Sequence, residues 1–254
     1  MTNKPLGLVF LIAIAAFTWE FITLIIYLST NVLIFWQIAS ILISVAAIII
    51  RLFVIDSEKF VSLIKETDTY STNVSLKPKR FLNLMPIAMV TCTIADIVIP
   101  ISFIAGMLAF LVAQILFVIA YSGIIHINPK LAYSGENKIL ALGSTITLLI
   151  IVILIYTLLI YSAEDITTLL VIPYIAILTF MVIITYISLG YKSRSFKFRL
   201  NLCIGATLFL ISDAILAYNL FNTSIYRAHL LIGSTYFLAI FMLQYAILFM
   251  RSQK

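Results

Sequence analysis

Long apolar runs separated by short polar segments make up almost the whole chain. Eight runs are each 20 to 25 residues long, and at about 1.5 Å of rise per residue a helix of that length crosses the hydrocarbon core of a bilayer. The pattern therefore predicts eight transmembrane helices, at residues 6–28, 32–55, 81–100, 102–125, 138–161, 166–190, 199–221 and 227–250.

The segments between these runs carry turn and cap signals. Pro100 predicts a tight turn, with Ser102 as the cap of the helix that follows. The longest polar segment, 56–80, mixes acidic and basic residues; we expect a solvated tether, with a short interfacial helix as the alternative. Because no strong internal repeat is visible, the chain is interpreted as one integral membrane domain, 1–254.

The composition excludes a water-soluble protein. Of the 254 residues, 63% are hydrophobic and only 10% are charged, whereas soluble domains have about 25% charged residues. The first apolar run is too long for the core of a signal peptide and lacks a convincing cleavage site, so we expect a mature membrane helix. Cys92 and Cys203 both lie within apolar runs, which favours a packing role.

The positions of the basic residues predict the orientation. If the N-terminus is cytoplasmic, 15 of the 16 Lys and Arg residues lie on the cytoplasmic side, and only Arg227 lies outside. Cytoplasmic loops are enriched in Lys and Arg, so we expect both termini in the cytoplasm. This bias also explains the net charge of +6 without a nucleic-acid partner. It does not distinguish the plasma membrane from an internal membrane.

Three carboxylates, Glu20, Asp96 and Asp213, lie inside the apolar runs. An ionisable group at bilayer depth is costly, and its presence is by default a sign of function. Each lies about 15 residues into a helix predicted to run outward, so we expect all three at a similar depth. The alternative is that each carboxylate only bonds a polar neighbour across a helix contact.

Two carboxylates at one depth have a chemical use. If they are close together, both cannot stay ionised cheaply, so the pair supplies an acid and a base for cleaving acetal-like bonds. Gln114 lies near the middle of the fourth helix and Tyr236 in the eighth, and both could join such a site. His229 is expected to be an interfacial residue.

Several function classes are excluded by what the apolar runs do not contain. No lysine lies in the interior of a predicted membrane helix, since Lys138 is only the first residue of its helix, and this excludes a retinal Schiff base. His126 and His229 are predicted at opposite membrane faces, so neither a zinc site nor a Ser–His pair is expected. No glycine-rich phosphate loop is present. We therefore expect chemistry by carboxylates, amides and hydroxyls, with no metal and no cofactor.

The segment 205–219 resembles the penultimate-helix signature of the YhhN family, with a Gly-Ala start, an apolar stretch and then Ser212-Asp213. The segment 234–239, which contains Tyr236, resembles the last helix of that family, and 93–98 and 108–117 resemble two earlier helices.

Four positions depart from the family pattern. Ala95 replaces the glycine before Asp96, and Gln114 replaces the usual histidine of the fourth helix. Ile240 follows Ala239 where the family often has an amide, and Lys77-Pro78 lies unusually close to Asp96.

The resemblance implies a lysoplasmalogenase, an enzyme that hydrolyses the vinyl ether bond of lysoplasmalogens. The products are a fatty aldehyde and glycerophospho-ethanolamine or -choline. Asp96 and Asp213 are the implied catalytic pair, without an assignment of which is the acid. The implied substrate-binding residues are Glu20, Gln114, Ser212 and Tyr236. The expected partners are a lysophospholipid or other lipid substrate and the membrane lipids, with no nucleic acid; the oligomeric state stays open.

Two other functions compete with this hypothesis. The three carboxylates could form a proton or cation relay in a transporter or channel, although neither an internal repeat nor a pair of Gly/Pro-broken helices supports it. The chain could also be a non-catalytic member of the family that binds a lipid.

Overall fold

The computed structural model of the protein describes residues 6–56, 58–62, 77–125, 138–157, 167–189 and 194–249. Every regular element among these residues is helical. The eight long helices of this part of the chain are α1 (Leu6–Thr30), α2 (Leu33–Ile49), α3 (Pro78–Val98), α4 (Phe103–Tyr121), α5 (Lys138–Ile155), α6 (Thr167–Leu189), α7 (Phe196–Phe221) and α8 (Ala228–Tyr245).

Each predicted apolar run overlaps one of these helices, but several bounds differ from the prediction. Helix α3 begins three residues earlier, at Pro78, because proline suits the first turn, where a backbone N–H has no helical acceptor. Helix α7 also begins three residues earlier, where the Ser195 hydroxyl accepts from the Phe198 N–H at 3.2 Å. Helix α2 ends in a π-helical turn over Ile50–Val54, and a 3₁₀ turn over Ala246–Phe249 follows α8. Residues 158–161, 166 and 190 lie outside the described residues.

Among the described residues, six helices are long and apolar enough to cross a membrane, and they belong to α2, α3, α4, α6, α7 and α8. Helices α1 and α5 contribute shorter apolar stretches, Ile14–Thr30 and Ala141–Ile155. Large apolar side chains such as Leu11, 64% exposed, and Ile153, 59% exposed, face away from the bundle. A soluble fold would cover so many apolar side chains, so the pattern is that of a membrane protein.

Helical hairpins build the bundle. Helix α3 packs along α4, and α7 packs along α8; α2 covers α3, and α6 bridges α4 and α7. Small residues allow the two hairpins to close. A Cβ on Gly106 would lie 2.7 Å from the Cα of Ile99, and one on Gly205 would lie 3.1 Å from the Ala239 carbonyl oxygen. Close backbone approach at small residues is typical of helix packing in membranes.

The segments between the helices confirm one prediction, the Ser102 cap, and differ from another, the solvated tether at 56–80. Ser102 caps α4 as predicted, accepting from the Ala105 N–H at 3.4 Å. In the predicted tether, residues 58–62 are helical, and Phe60 is buried with its ring 6.1 Å from that of Phe81. The start of this segment is therefore packed on the bundle, because it carries an apolar ring; residues 63–76 lie outside the described residues.

Candidate functional site

A cavity of about 280 Å³ lies at the end of the bundle where α3 and α7 finish and α8 begins. Asp96, two residues before the end of α3, and Asp213, eight before the end of α7, both line it. We call it the carboxylate cavity. Its other polar or aromatic lining residues are Tyr27, Trp36, Phe110, Ser212, Asn219, His229 and Tyr236.

Asp96 is held by two hydroxyl donors from different helices. Its Oδ2 accepts from the Ser40 hydroxyl of α2 at 2.5 Å and from the Tyr236 hydroxyl of α8 at 2.8 Å. The side chain is 1% exposed although it reaches the cavity wall. Two donors compensate for the loss of water around a buried carboxylate and set its orientation.

Behind Asp96, a small hydroxyl cluster joins α2 to α3. Ser40 and Ser44 lie one turn apart on α2, and Thr93 lies one turn before Asp96 on α3, so these side chains face each other. Thr93 donates to the Ser40 carbonyl at 2.7 Å, and the Ser44 and Thr93 hydroxyls are 2.6 Å apart. Since the Thr93 hydrogen is used on the carbonyl, Ser44 is the donor in that pair and Ser40 remains free to donate to Asp96.

Aromatic rings position the Tyr236 hydroxyl. The Trp36 ring stacks on the Tyr236 ring with centroids 5.3 Å apart and an angle of 16° between the planes. Phe110 and Phe209 meet it edge to face at 5.9 and 5.6 Å. Because Tyr236 is 3% exposed and packed on several sides, its hydroxyl has little freedom to leave Asp96.

Asp213 has a different environment. Its Oδ2 accepts from the Tyr174 hydroxyl of α6, and the side chain is only partly buried because it faces the cavity. Asp213 is also close enough to Asp96 for the two to interact electrostatically. The neighbouring Ser212 hydroxyl donates to the Ile232 carbonyl at 3.2 Å, which ties α7 to α8 beside the site.

Gln114 lies behind Asp213 rather than on the cavity wall. Its side chain is fully buried and sits beside the Tyr174 hydroxyl. Neither its Nε2 nor its Oε1 has a hydrogen-bond partner among the described residues. The structure thus brings Gln114 within reach of the group that orients Asp213, and not to the cavity surface where a substrate would touch it.

The structure does not bring Glu20 to the cavity. Glu20 lies seven residues, or about 10 Å of helix rise, from Tyr27, the α1 residue that does line the cavity. It is 6% exposed, its Oε1 has no hydrogen-bond partner among the described residues, and it interacts electrostatically with Tyr245, at the far end of α8. Similar counting along each helix predicted one depth for all three carboxylates, but it could not show which way Glu20 faces.

Sequence reasoning missed several contributors to the site. Ser40 and Tyr174 are the hydroxyl donors to the two aspartates, and Trp36 and His229 line the cavity. His229 was expected at the membrane interface; it does lie at the start of α8, but on the cavity wall, with its ring 6.1 Å from that of Tyr27. The spacing of Ser40 and Ser44 within an apolar run was the one available signal for the α2 contribution.

The fold and the site together define a helical membrane protein with a polar cavity that holds two aspartates. The YhhN family model matches residues 69–247, and the chain belongs to the YhhN family. The match includes both aspartates and their donors Tyr174 and Tyr236, and it begins after Ser40 and Trp36. No curated protein and no solved structure matches the chain. Within the described residues, no three His, Cys, Asp or Glu side chains come together as metal ligands would.

Proposed function

We propose that the protein is a membrane-embedded lipid hydrolase of the lysoplasmalogenase type. It would cleave the vinyl ether bond of a lysoplasmalogen to a fatty aldehyde and glycerophospho-ethanolamine or -choline. The observation that carries the proposal is that Asp96 and Asp213 line one cavity while their hydrogen bonds differ. Membership of the YhhN family is consistent with this activity.

The hydrogen bonds favour one division of roles. Asp96 accepts from two hydroxyls, as suits an ionised carboxylate that stabilises positive charge. Asp213 accepts from one hydroxyl and is more open to the cavity, as suits an acid that must reach the substrate. We therefore assign the acid to Asp213 and the charged partner to Asp96.

The reaction balances with water as the only co-reactant. Asp213 gives its proton to the β-carbon of the vinyl ether, and the ether oxygen then shares the positive charge of an oxocarbenium ion. Asp96 stabilises that cation. Water adds to the α-carbon and returns a proton to Asp213, forming a hemiacetal. Its collapse transfers the hydroxyl proton to the glycerol oxygen and releases the aldehyde.

The proposed topology has eight membrane crossings with both termini in the cytoplasm. The support is the positions of the basic residues together with the eight apolar helices of the described chain. In this orientation α3 and α7 run outward, so the carboxylate cavity lies in the outer half of the membrane. A lysolipid of that leaflet would reach the aspartates without crossing the bilayer.

The test is aldehyde release by the purified protein from lysoplasmalogens and from ordinary lysophospholipids. We expect release from the vinyl ether lipids alone, and its loss in Asp96→Asn and in Asp213→Asn. Asp56→Asn, at an exposed aspartate outside the cavity, is the matched control and retains activity. Release that survives both cavity substitutions would overturn the paired-aspartate mechanism, and no release from any lipid would overturn the proposed reaction.

A further inference from the structure

Two narrow apolar spaces meet the carboxylate cavity at Asp213. One, of about 50 Å³, lies between α5, α6 and α7, and the other, of about 30 Å³, lies between α4, α6 and α7. Asp213 lines all three spaces, and Tyr174 lines both narrow ones. Apart from these two residues, the walls of both narrow spaces are apolar. Asp213 therefore lies where a cavity that carries several polar side chains meets two spaces with apolar walls.

The larger of the two spaces is formed by small residues of α7 facing α5. Ala214 and Ala217 lie one turn apart on α7, on the side that Val152 and Ile155 of α5 face across the gap. Helix α5 packs mainly on α6, so its contact with α7 is slight. We call this space, lined by Val152, Ile155, Leu178, Ala214 and Ala217, the α5–α7 groove.

We propose that the α5–α7 groove binds the single hydrocarbon chain of the substrate. The identity of the reaction rests on the proposed function, but occupancy of the groove does not. The groove, of about 50 Å³, offers a hydrated headgroup few hydrogen-bond partners, so burying a headgroup there would be costly. A thin chain that continues into the bilayer fits such a space, and its walls offer an alkyl chain no polar group besides Asp213 and Tyr174.

The same junction explains how a lipid would be oriented. A headgroup in the carboxylate cavity meets the polar side chains of Ser212, Asn219 and His229. With the chain in the α5–α7 groove, the bond between headgroup and chain lies beside Asp213. The ligand class is thus an amphiphile whose hydrocarbon chain enters sideways from the bilayer.

The groove aligns the chain more than it strengthens binding. Lipid tails around the protein are as apolar as the groove, so a chain gains little by moving from one to the other. What the groove supplies is a defined position of the reacting bond, which is the part of binding that accelerates a reaction. Filling it should therefore reduce turnover and occupancy of the groove while leaving partition of the lipid into the membrane unchanged.

The experiment uses the full-length protein in lipid nanodiscs and a photoreactive alkyl-ether lysophosphoethanolamine. The alkyl ether has no vinyl bond to hydrolyse, and a diazirine placed in its chain reports the chain position whether or not the protein is an enzyme. After irradiation, we expect adducts on the α5–α7 groove, removed by an excess of unlabelled lysolipid. Ala217→Leu should reduce the groove adducts by about tenfold, and Ala214→Leu is the second variant in case the first fails to fold.

Ala105→Leu, at an exposed alanine of α4, is the matched control and should keep the adducts of the native chain. Adducts spread over all lipid-facing helices, or adducts that competition and Ala217→Leu leave unchanged, would overturn the proposal. Groove adducts in a protein that releases no aldehyde would support the groove and refute the proposed reaction. Aldehyde release that both groove variants leave unchanged would refute the groove and leave the reaction standing.

Discussion

Tyr236 and Asp96 lie 140 positions apart in the chain, yet the Tyr236 hydroxyl donates to Asp96 Oδ2 at 2.8 Å. The bond joins α8 to α3, the two helices that enclose the carboxylate cavity on one side. Because Tyr236 is clamped by Trp36 and neighbouring phenylalanines, the bond holds the carboxylate in one orientation.

Tyr236→Phe keeps the packed ring and removes the donor. A hydrogen bond to a charged group contributes about 1.5–3 kcal/mol, so we expect kcat for vinyl ether hydrolysis to fall about 10- to 100-fold. The thermal midpoint should also fall, because a buried carboxylate loses one of its donors, although the ring contacts remain. Steady-state kinetics beside Tyr226→Phe, whose tyrosine is 83% exposed, would check this. Equal kcat values in the two variants would contradict the role given to the bond.

Ser40→Ala removes the second donor to Asp96. We expect a fall in kcat of about tenfold, and a larger than additive loss when it is combined with Tyr236→Phe, because Asp96 then keeps neither donor. Ser29→Ala, at an exposed serine of α1, is the matched control. A double-mutant cycle measures the coupling, and strictly additive losses would argue that the two hydroxyls act independently.

Gln114→Leu tests the role of the buried amide behind Tyr174. An unpaired buried amide costs about 1–3 kcal/mol, so leucine should raise the thermal midpoint by about 2–4 °C or more. At the same time kcat should fall, with KM nearly unchanged, because the Gln114 side chain packs beside the Tyr174 hydroxyl, the donor to Asp213, and does not touch the substrate.

Gln114→His restores the residue type typical of the family at this position and should retain kcat better than Gln114→Leu. Thermal melts and the separate values of kcat and KM distinguish the possibilities. A KM increase in Gln114→Leu with unchanged kcat would place Gln114 in direct contact with the substrate instead.

His229→Gln addresses headgroup recognition. His229 lies at the start of α8 on the cavity wall, where a phosphate ester headgroup would sit if the chain follows the α5–α7 groove. We expect KM for lysoplasmalogens to rise about tenfold with little change in kcat, because such a contact is the same in the ground state and the transition state. Loss of kcat without a change in KM would instead indicate that His229 acts on the reacting bond.

The sequence alone predicts the helices well, because a membrane-spanning helix is recognisable from the apolar residues of its own segment, without knowledge of the segments that pack against it. A run of about 20 apolar residues is explained by the membrane itself, and each predicted run overlaps a helix among the described residues. The helix ends depend on local caps such as Pro78 and Ser195, so they were off by a few residues. The count of eight crossings and the orientation remain predictions.

The sequence also points to Asp96 and Asp213, because a carboxylate within a membrane helix is energetically costly and therefore indicates a function. That rule does not say which carboxylates meet. Counting residues along a helix gives depth, whereas the direction in which a side chain faces depends on how the helices rotate against each other. The structure therefore separates Glu20, which does not line the carboxylate cavity, from the two aspartates that do.

By itself, the sequence determined that this is a helical membrane protein and that it resembles the YhhN family, and it predicted a functional role for the acids within its apolar runs. Only the tertiary structure decided that Ser40 and Tyr236 hold Asp96, that Tyr174 holds Asp213, and that His229 shares their cavity. The reason is physical. The free energy of transferring an apolar run or a charged side chain between water and lipid depends on that segment alone. Hydrogen bonds between helices, in contrast, form only once distant segments have packed together.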